Sequence, residues 1–225
     1  MILDTYTVEI SEDERLETSS GQCIREEWMK DGKAHRSGGP AVIVRDRKTG
    51  EVFVEEFYEN GKLHRDEGPA RIWRDVSGAT HSEEYWRRGK QHRLDGPSAR
   101  VVDIRTGVVT QEAWYKDGHI HREGAPAVVF RDGATGIATD EVWYLNGIQD
   151  RNDGPAFIKR DPQTGVVFHE EWLSSGGSYR QDGPAVIFRD PNTGAITSVE
   201  EMFFEGNRVD SQRDFNQSSR AGPKP

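Results

Sequence analysis

The chain has 225 residues, enough for one large domain or two small ones. Only 33% of them are hydrophobic and 31% are charged, with a mean hydropathy of −0.82, whereas a single thick core asks for about half apolar residues. Six Trp, six Tyr and nine Phe spread along the length argue against a disordered polymer, and 24 glycines point to something thin, repetitive and turn-rich.

Net charge is −9, and it is unevenly placed. Apolar runs such as Ala41 to Val44 are a few residues long, against the roughly 20 that a membrane-spanning helix needs. The start lacks a basic stretch followed by an apolar one, and Cys23 is the only cysteine. A secretory leader, a disulfide framework and a cysteine-based zinc cluster are therefore not expected. Cytoplasmic residence is the expectation, with leaderless secretion left open. The weak, mixed charge of the middle of the chain argues against nucleic acid as a partner.

Residues 1–20 read as an acidic N-terminal cap, with six acids against Arg15 alone. TYTVEI alternates like a strand and would cover an open sheet edge; SEDERLETSS then serves as an acidic connection.

From 21 to 210 the chain repeats. Prolines at Pro40, Pro69, Pro97, Pro126, Pro155 and Pro184 recur every 28 or 29 residues. An aromatic precedes each proline by twelve positions (Trp28, Phe57, Tyr85, Trp114, Trp143, Trp172), and a turn glycine follows each one. Six full units are present, with a fading seventh in VEEMFFEGNRVD. The segment after each proline is rich in β-branched and aromatic residues, the strand signal. It ends in Arg-Asp and a glycine turn, where Asp organises the turn by accepting backbone N–H bonds. A second strand follows and leads to Asn60-Gly61, Asp117-Gly118 or Asn146-Gly147, each a tight hairpin turn. The expected fold is all-β: an elongated, twisted antiparallel sheet of tandem hairpins. The glycine of Gly-Pro-Ala is read as taking an unusual φ, and the proline as opening a strand where no donor is needed. Unit three, GPSARVVDIRTG, reads as shifted by one residue, with Asp103 where arginine is expected. Residues 211–225, polar and proline-containing, read as a flexible tail.

Alternation puts Ala41 and Ile43, with their equivalents, on one face together with the aromatic column. A second column, Met29, Tyr58, Trp86, Tyr115, Tyr144 and Leu173, forms either a second buried seam or an exposed binding strip.

The pattern Trp-Tyr-x-(Asp/Asn)-Gly-x-x-His-Arg-x-x-Gly-Pro-Ala resembles an enlarged MORN-type repeat. The match lies on Glu56-Phe57-Tyr58-Glu59-Asn60-Gly61-Lys62 with Gly68, and on Trp114-Tyr115-Lys116-Asp117-Gly118 with Gly124. It is also similar to MORN-like repeat proteins labelled as antitoxins. The resemblance implies an elongated hairpin sheet used as a scaffold, in some cases dimerising end to end.

His-Arg recurs at His35-Arg36, His64-Arg65, His92-Arg93 and His121-Arg122, while Arg151 and Arg180 continue the arginine column alone. Histidines one unit apart stand roughly 10 Å from each other, too far to share an ion held at about 2 Å, so no metal site and no cofactor is expected. Four near-copies also argue for structure over catalysis. A glutamate column (Glu26, Glu55, Glu83, Glu112, Glu141, Glu170, and Glu200 in the fading unit) precedes the arginines by ten residues and is expected to form Glu–Arg bridges with them.

These readings lead to a non-catalytic scaffold that binds a protein partner. Its candidate contact residues are Arg36, Arg65, Arg93, Arg122, Arg151 and Arg180 with Tyr58, Trp86, Tyr115 and Tyr144. The alternatives are an inhibitor or antitoxin-like protein using residues 1–20 as a plug, an enzyme or ligand-binding protein using the histidine-bearing units, and self-association through the terminal strands.

Overall fold

The computed structural model describes residues 5–18, 21–181, 183–200, 202–204 and 207–209. The tail at 211–225 and residues 201, 205, 206 and 210 of the fading seventh unit lie outside the described residues. All elements are strands. Fourteen of them form one open antiparallel path, each bonded to the next in chain order, with one further short strand attached to it. No helix among the described residues is long and apolar enough to cross a membrane.

The path begins with β1 (Thr7–Thr18), β2 (Gly21–Lys30), the short β3 (Lys33–Ala34), β4 (Val42–Asp46) and β5 (Val52–Glu56). After β5 the chain leaves the main sheet. Phe57 N–H makes one last bond, to the carbonyl of Ala70 on the next strand. The chain then forms a two-residue ribbon, β6 (Tyr58–Glu59) against β7 (Lys62–Leu63), and returns through His64, Arg65 and Gly68-Pro69 to start the next unit. Every later unit repeats this course.

Both turns follow from residue chemistry. At the ribbon tip Asp31, Asn60, Arg88, Asp117, Asn146 and Ser175 have φ of 49–53°, and the glycine after each has φ of 70–86°. That pair of left-handed residues is the turn whose twist suits a two-residue hairpin. At the other end of the strands Asp46 Oδ1 accepts the amides of Lys48 and Thr49, both at 2.8 Å. Asp132, Asp161 and Asp190 repeat that pattern with the residues two and three positions on, and Asp75 makes a close variant of it.

The core is one residue deep. Ala41, Ala70, Ala127, Ala156 and Ala185 are fully buried after the prolines, and Ser98, which takes the same place in unit three, donates its hydroxyl to the Ala113 carbonyl. Two positions on, Ile72, Val129, Ile158 and Ile187 are also buried. Ile72, Val129 and Ile158 stand directly opposite glutamates on both sides, as Ile72 does opposite Glu55 and Glu83, while Ile187 stands opposite Glu170 and Val199. On the other face of the first units, Cys23, Val44, Phe53 and Val54 cluster with Trp73 against them. Burial, with Asp46 and Asp13 nearby, pushes the Cys23 thiol pKa up.

Four expectations are corrected. The glutamates pair with the arginine that precedes each turn aspartate, nineteen residues later, and not with the His-Arg column. The pairs are Arg45–Glu26, Arg74–Glu55 at 2.6 Å, Arg131–Glu112 at 2.7 Å, Arg160–Glu141 and Arg189–Glu170 at 2.9 Å. The ribbon carries the His-Arg segment out of the sheet, whereas the pre-turn arginine stays on the glutamate's own face. Second, unit three is not shifted: Asp103 is the turn aspartate, accepting the Arg105 amide at 2.8 Å. Its arginine has moved to Arg100, directly opposite Glu83 and Glu112. Third, β1 runs on to Thr18 through the acidic segment read as a connection, with a register break between Asp13 and Glu17. Fourth, positive φ does not explain most of the glycines before proline: of these, Gly68 has it, and Gly39, Gly96, Gly154 and Gly183 do not.

β1 pairs along β2, and Tyr6 lies edge-on to Trp28 with centroids 5.8 Å apart while stacking on His35.

Candidate functional site

In each of the six units the arginine of the return loop folds back over the aromatic residue eight positions earlier. Its Cζ lies 3.8–4.1 Å from the ring centroid, in Arg36–Trp28, Arg65–Phe57, Arg93–Tyr85, Arg122–Trp114, Arg151–Trp143 and Arg180–Trp172. In the first five units Nη1 also donates to the carbonyl of the unit's own proline at 3.0–3.3 Å. The ring holds one face of the guanidinium and the carbonyl holds one edge. A stack of this kind is worth about 0.5–2 kcal/mol, depending on how dry it is.

The glycine before proline is the third side of this group. A Cβ on Gly96 would stand 2.9 Å from Arg93 Cζ, and one on Gly154 2.7 Å from Arg151 Cζ. The residue is small because the guanidinium lies against its backbone. Unit four has Ala125 there, and Arg122 still stacks on Trp114 at 3.8 Å. Burial at this unit lowers the Arg122 pKa from its ordinary value.

Arg93 and Arg151 each bond an exposed aspartate two residues on, through Nε. Arg36, Arg65 and Arg122 have no carboxylate partner among the described residues, so each presents a charged edge outward.

The histidines before these arginines join units. His35, His92 and His121 Nδ1 each accept the amide of the next unit's ribbon-tip residue (Asn60, Asp117, Asn146) at 3.1 Å, and His64 accepts that of Arg88 at 3.4 Å. In His64 and His121 the acceptor role places the imidazole proton on Nε2, which meets Glu59 and Glu123 at 3.3 and 3.6 Å. In unit five Asp150 replaces histidine, and its Oδ1 is buried without a hydrogen-bond partner.

The second aromatic column lies on the ribbons. Tyr58, Trp86, Tyr115 and Tyr144 are half-buried and Leu173 is buried, which makes this column a second seam. Trp86 Nε1 donates to Glu84 at 2.8 Å and Tyr58 to Glu56 at 3.3 Å. Arg71 lies between Glu56 and Glu84 at 2.8 and 3.2 Å. Burial and the Glu56 charge raise the Tyr58 pKa.

Clefts open between two pairs of neighbouring stacks. One of about 450 Å³ is lined by Arg65, Tyr85, Trp86, Arg93 and Leu94, and another of about 700 Å³ by Arg151, Trp172, Tyr179 and Arg180. The predicted residues Arg65, Arg93, Arg151, Arg180 and Trp86 therefore line clefts, while Tyr58, Tyr115 and Tyr144 serve the ribbon seam. Sequence reasoning missed Leu94, which is 75% exposed at the mouth of the first cleft. Its signal was an apolar residue at a loop position that is polar in the other five units. It also missed the stacking itself, whose signal was the constant eight-residue step from aromatic to arginine. Among the described residues no group of three or more His, Cys, Asp or Glu could hold a metal ion.

Comparison of the chain with protein-family profiles, with curated proteins and with solved structures finds no match.

Proposed function

We propose that the chain is a non-catalytic scaffold that binds another protein along the row of clefts between its arginine–aromatic stacks. The observation that carries this reading is the repetition of one rigid group, a guanidinium stacked on an aromatic ring, in six consecutive units. Such a surface extends far beyond one small ligand. It offers aromatic and arginine anchors whose rotamers are already fixed, so a partner meets a low ordering cost. The outward edges of Arg36, Arg65 and Arg122 supply directional donors, and Leu94 supplies an exposed apolar contact.

Leu94→Asp tests the reading, because an exposed side chain is changed and no stack is touched. A tagged chain from the native host is expected to hold one stoichiometric protein partner, and Leu94→Asp to lose it at unchanged Tm. Retention of the partner by the variant, or no partner at all, counts against this surface.

A further inference from the structure

The ribbon tips carry a second surface, which meets the first cleft at Arg87. Residues 30–33, 59–62, 87–90 and 116–119 hold seven cations and three acids in a chain of net charge −9, while the corresponding 145–148 and 174–177 hold no charge. The residue after each tip glycine forms a column. The stem of Lys33 lies over Gly61, that of Lys62 over Gly89, that of Lys90 over Gly118, His119 meets Gly147, and Ile148 meets Gly176, at 3.4–3.7 Å from where a Cβ would stand. Each stem is thus pinned by the next unit while its head is left in water. Directly opposite, across the ribbon, stand Glu59, Arg87, Lys116 and Leu145. Lys33, Lys62, Arg87, Lys90 and Lys116 have no ion-pair partner among the described residues.

The strip is two side chains wide and advances one step per unit. Two strands at about 4.8 Å make that step about 9.6 Å. A polyproline II segment, at about 3.1 Å per residue and three residues per turn, shows the same face every ~9.3 Å; a β-strand, at about 6.8 Å between like-facing residues, falls out of register. The cations end where Leu145 and Ile148 begin, and Ile148 is 51% exposed. Nucleic acid has no use for that apolar end, and the ribbon aromatics that could stack on bases are half-buried in their seam.

We infer that the strip binds an extended acidic segment of a partner protein, in polyproline II conformation, with an acid at every third residue and an apolar side chain beyond the acids. The acids lie along units one to four, and the apolar residue meets Leu145 and Ile148. This rests on reading the chain as a protein-binding scaffold; the strip shares Arg87 with the first cleft, and its other residues are different.

The test is a fluorescence anisotropy titration of the full chain at low salt. The probes are proline-rich peptides with Glu at every third position and Leu at one end or the other. Controls are a peptide of equal composition with its acids clustered, single-stranded dT20 and phosphatidylserine vesicles. The spaced peptide is expected to bind at least about tenfold tighter than the clustered one. Lys62→Glu with Lys90→Glu should cut its affinity by about tenfold or more, and the milder Lys62→Gln with Lys90→Gln by less. Ile148→Ser should remove the advantage given by the leucine, and Leu94→Asp should change nothing here. Equal binding of the two peptides, preference for dT20 or vesicles, or indifference to the lysine variants would overturn the inference. A peptide that fails while Leu94→Asp still abolishes partner capture sinks the strip and leaves the cleft reading standing.

Discussion

The guanidinium of Arg122 lies over the Trp114 ring, its Cζ 3.8 Å from the centroid, while Nη1 reaches the Pro126 carbonyl at 3.1 Å. Lysine can keep the charge there but not the plane or the fork. Arg122→Lys should therefore cost about 1 kcal/mol and Arg122→Ala about 1–2 kcal/mol, read by urea denaturation. Equal stability of all three chains would mean that the stack is incidental.

Gly154 and Arg151 should behave as one group. A Cβ at Gly154 displaces the guanidinium from Trp143, so Gly154→Ala is expected to cost no more than the stack, up to about 2 kcal/mol. In an Arg151→Ala background the same change should be close to neutral. A double-mutant cycle measures this coupling, and additive effects would break the account of why glycine stands before proline.

His121 is expected to be structural. Removing its Nδ1 strips an acceptor from the Asn146 amide, so His121→Ala should lower stability by about 0.5–1.5 kcal/mol. Faster amide hydrogen exchange should be concentrated at Asn146. A catalytic or ligand-binding histidine would instead show loss of function at unchanged Tm and unchanged exchange.

Acid should loosen the turns. Backbone and hydroxyl hydrogen bonds hold the Asp132, Asp161 and Asp190 carboxyls below their ordinary pKa, as a hydroxyl and amides do for Asp75. A folded-state pKa below the unfolded one gives stability that is fully present above the unfolded value, about 3.9. That stability is lost as pH falls through the folded value. Asp132→Asn with Asp161→Asn should lower Tm at pH 7 and flatten the fall in Tm between about pH 4 and pH 2. A variant with an unchanged pH profile would remove the turn aspartates from the account.

What was legible in the sequence was local. The period, the strands and both turns depend on residues within a few positions of each other, as with Asp46 and Thr49 or Asn60 and Gly61. Which arginine meets Glu55 was not legible, since Arg65 and Arg74 both lie downstream on the same beat. Only the departure of the chain at Phe57, which lifts Arg65 out of the sheet, separates them. Asp103 was misplaced because Val102 occupies the usual arginine site and Arg100 stands on the same face two residues earlier. β1 was read too short because alternation is lost where charges follow one another from Glu12 to Arg15. The glycine before proline was assigned to φ, when the reason at Gly154 is a guanidinium from three residues away.

The central claim is that partner recognition lies along the clefts and away from the aspartate turns at the opposite ends of the strands. A photocrosslinking residue at position 94 or at exposed position 163, in otherwise unaltered full-length chains, tests it most directly. The account predicts a single one-to-one crosslinked protein from position 94 and none from 163. Crosslinking from 163 with none from 94 would contradict it.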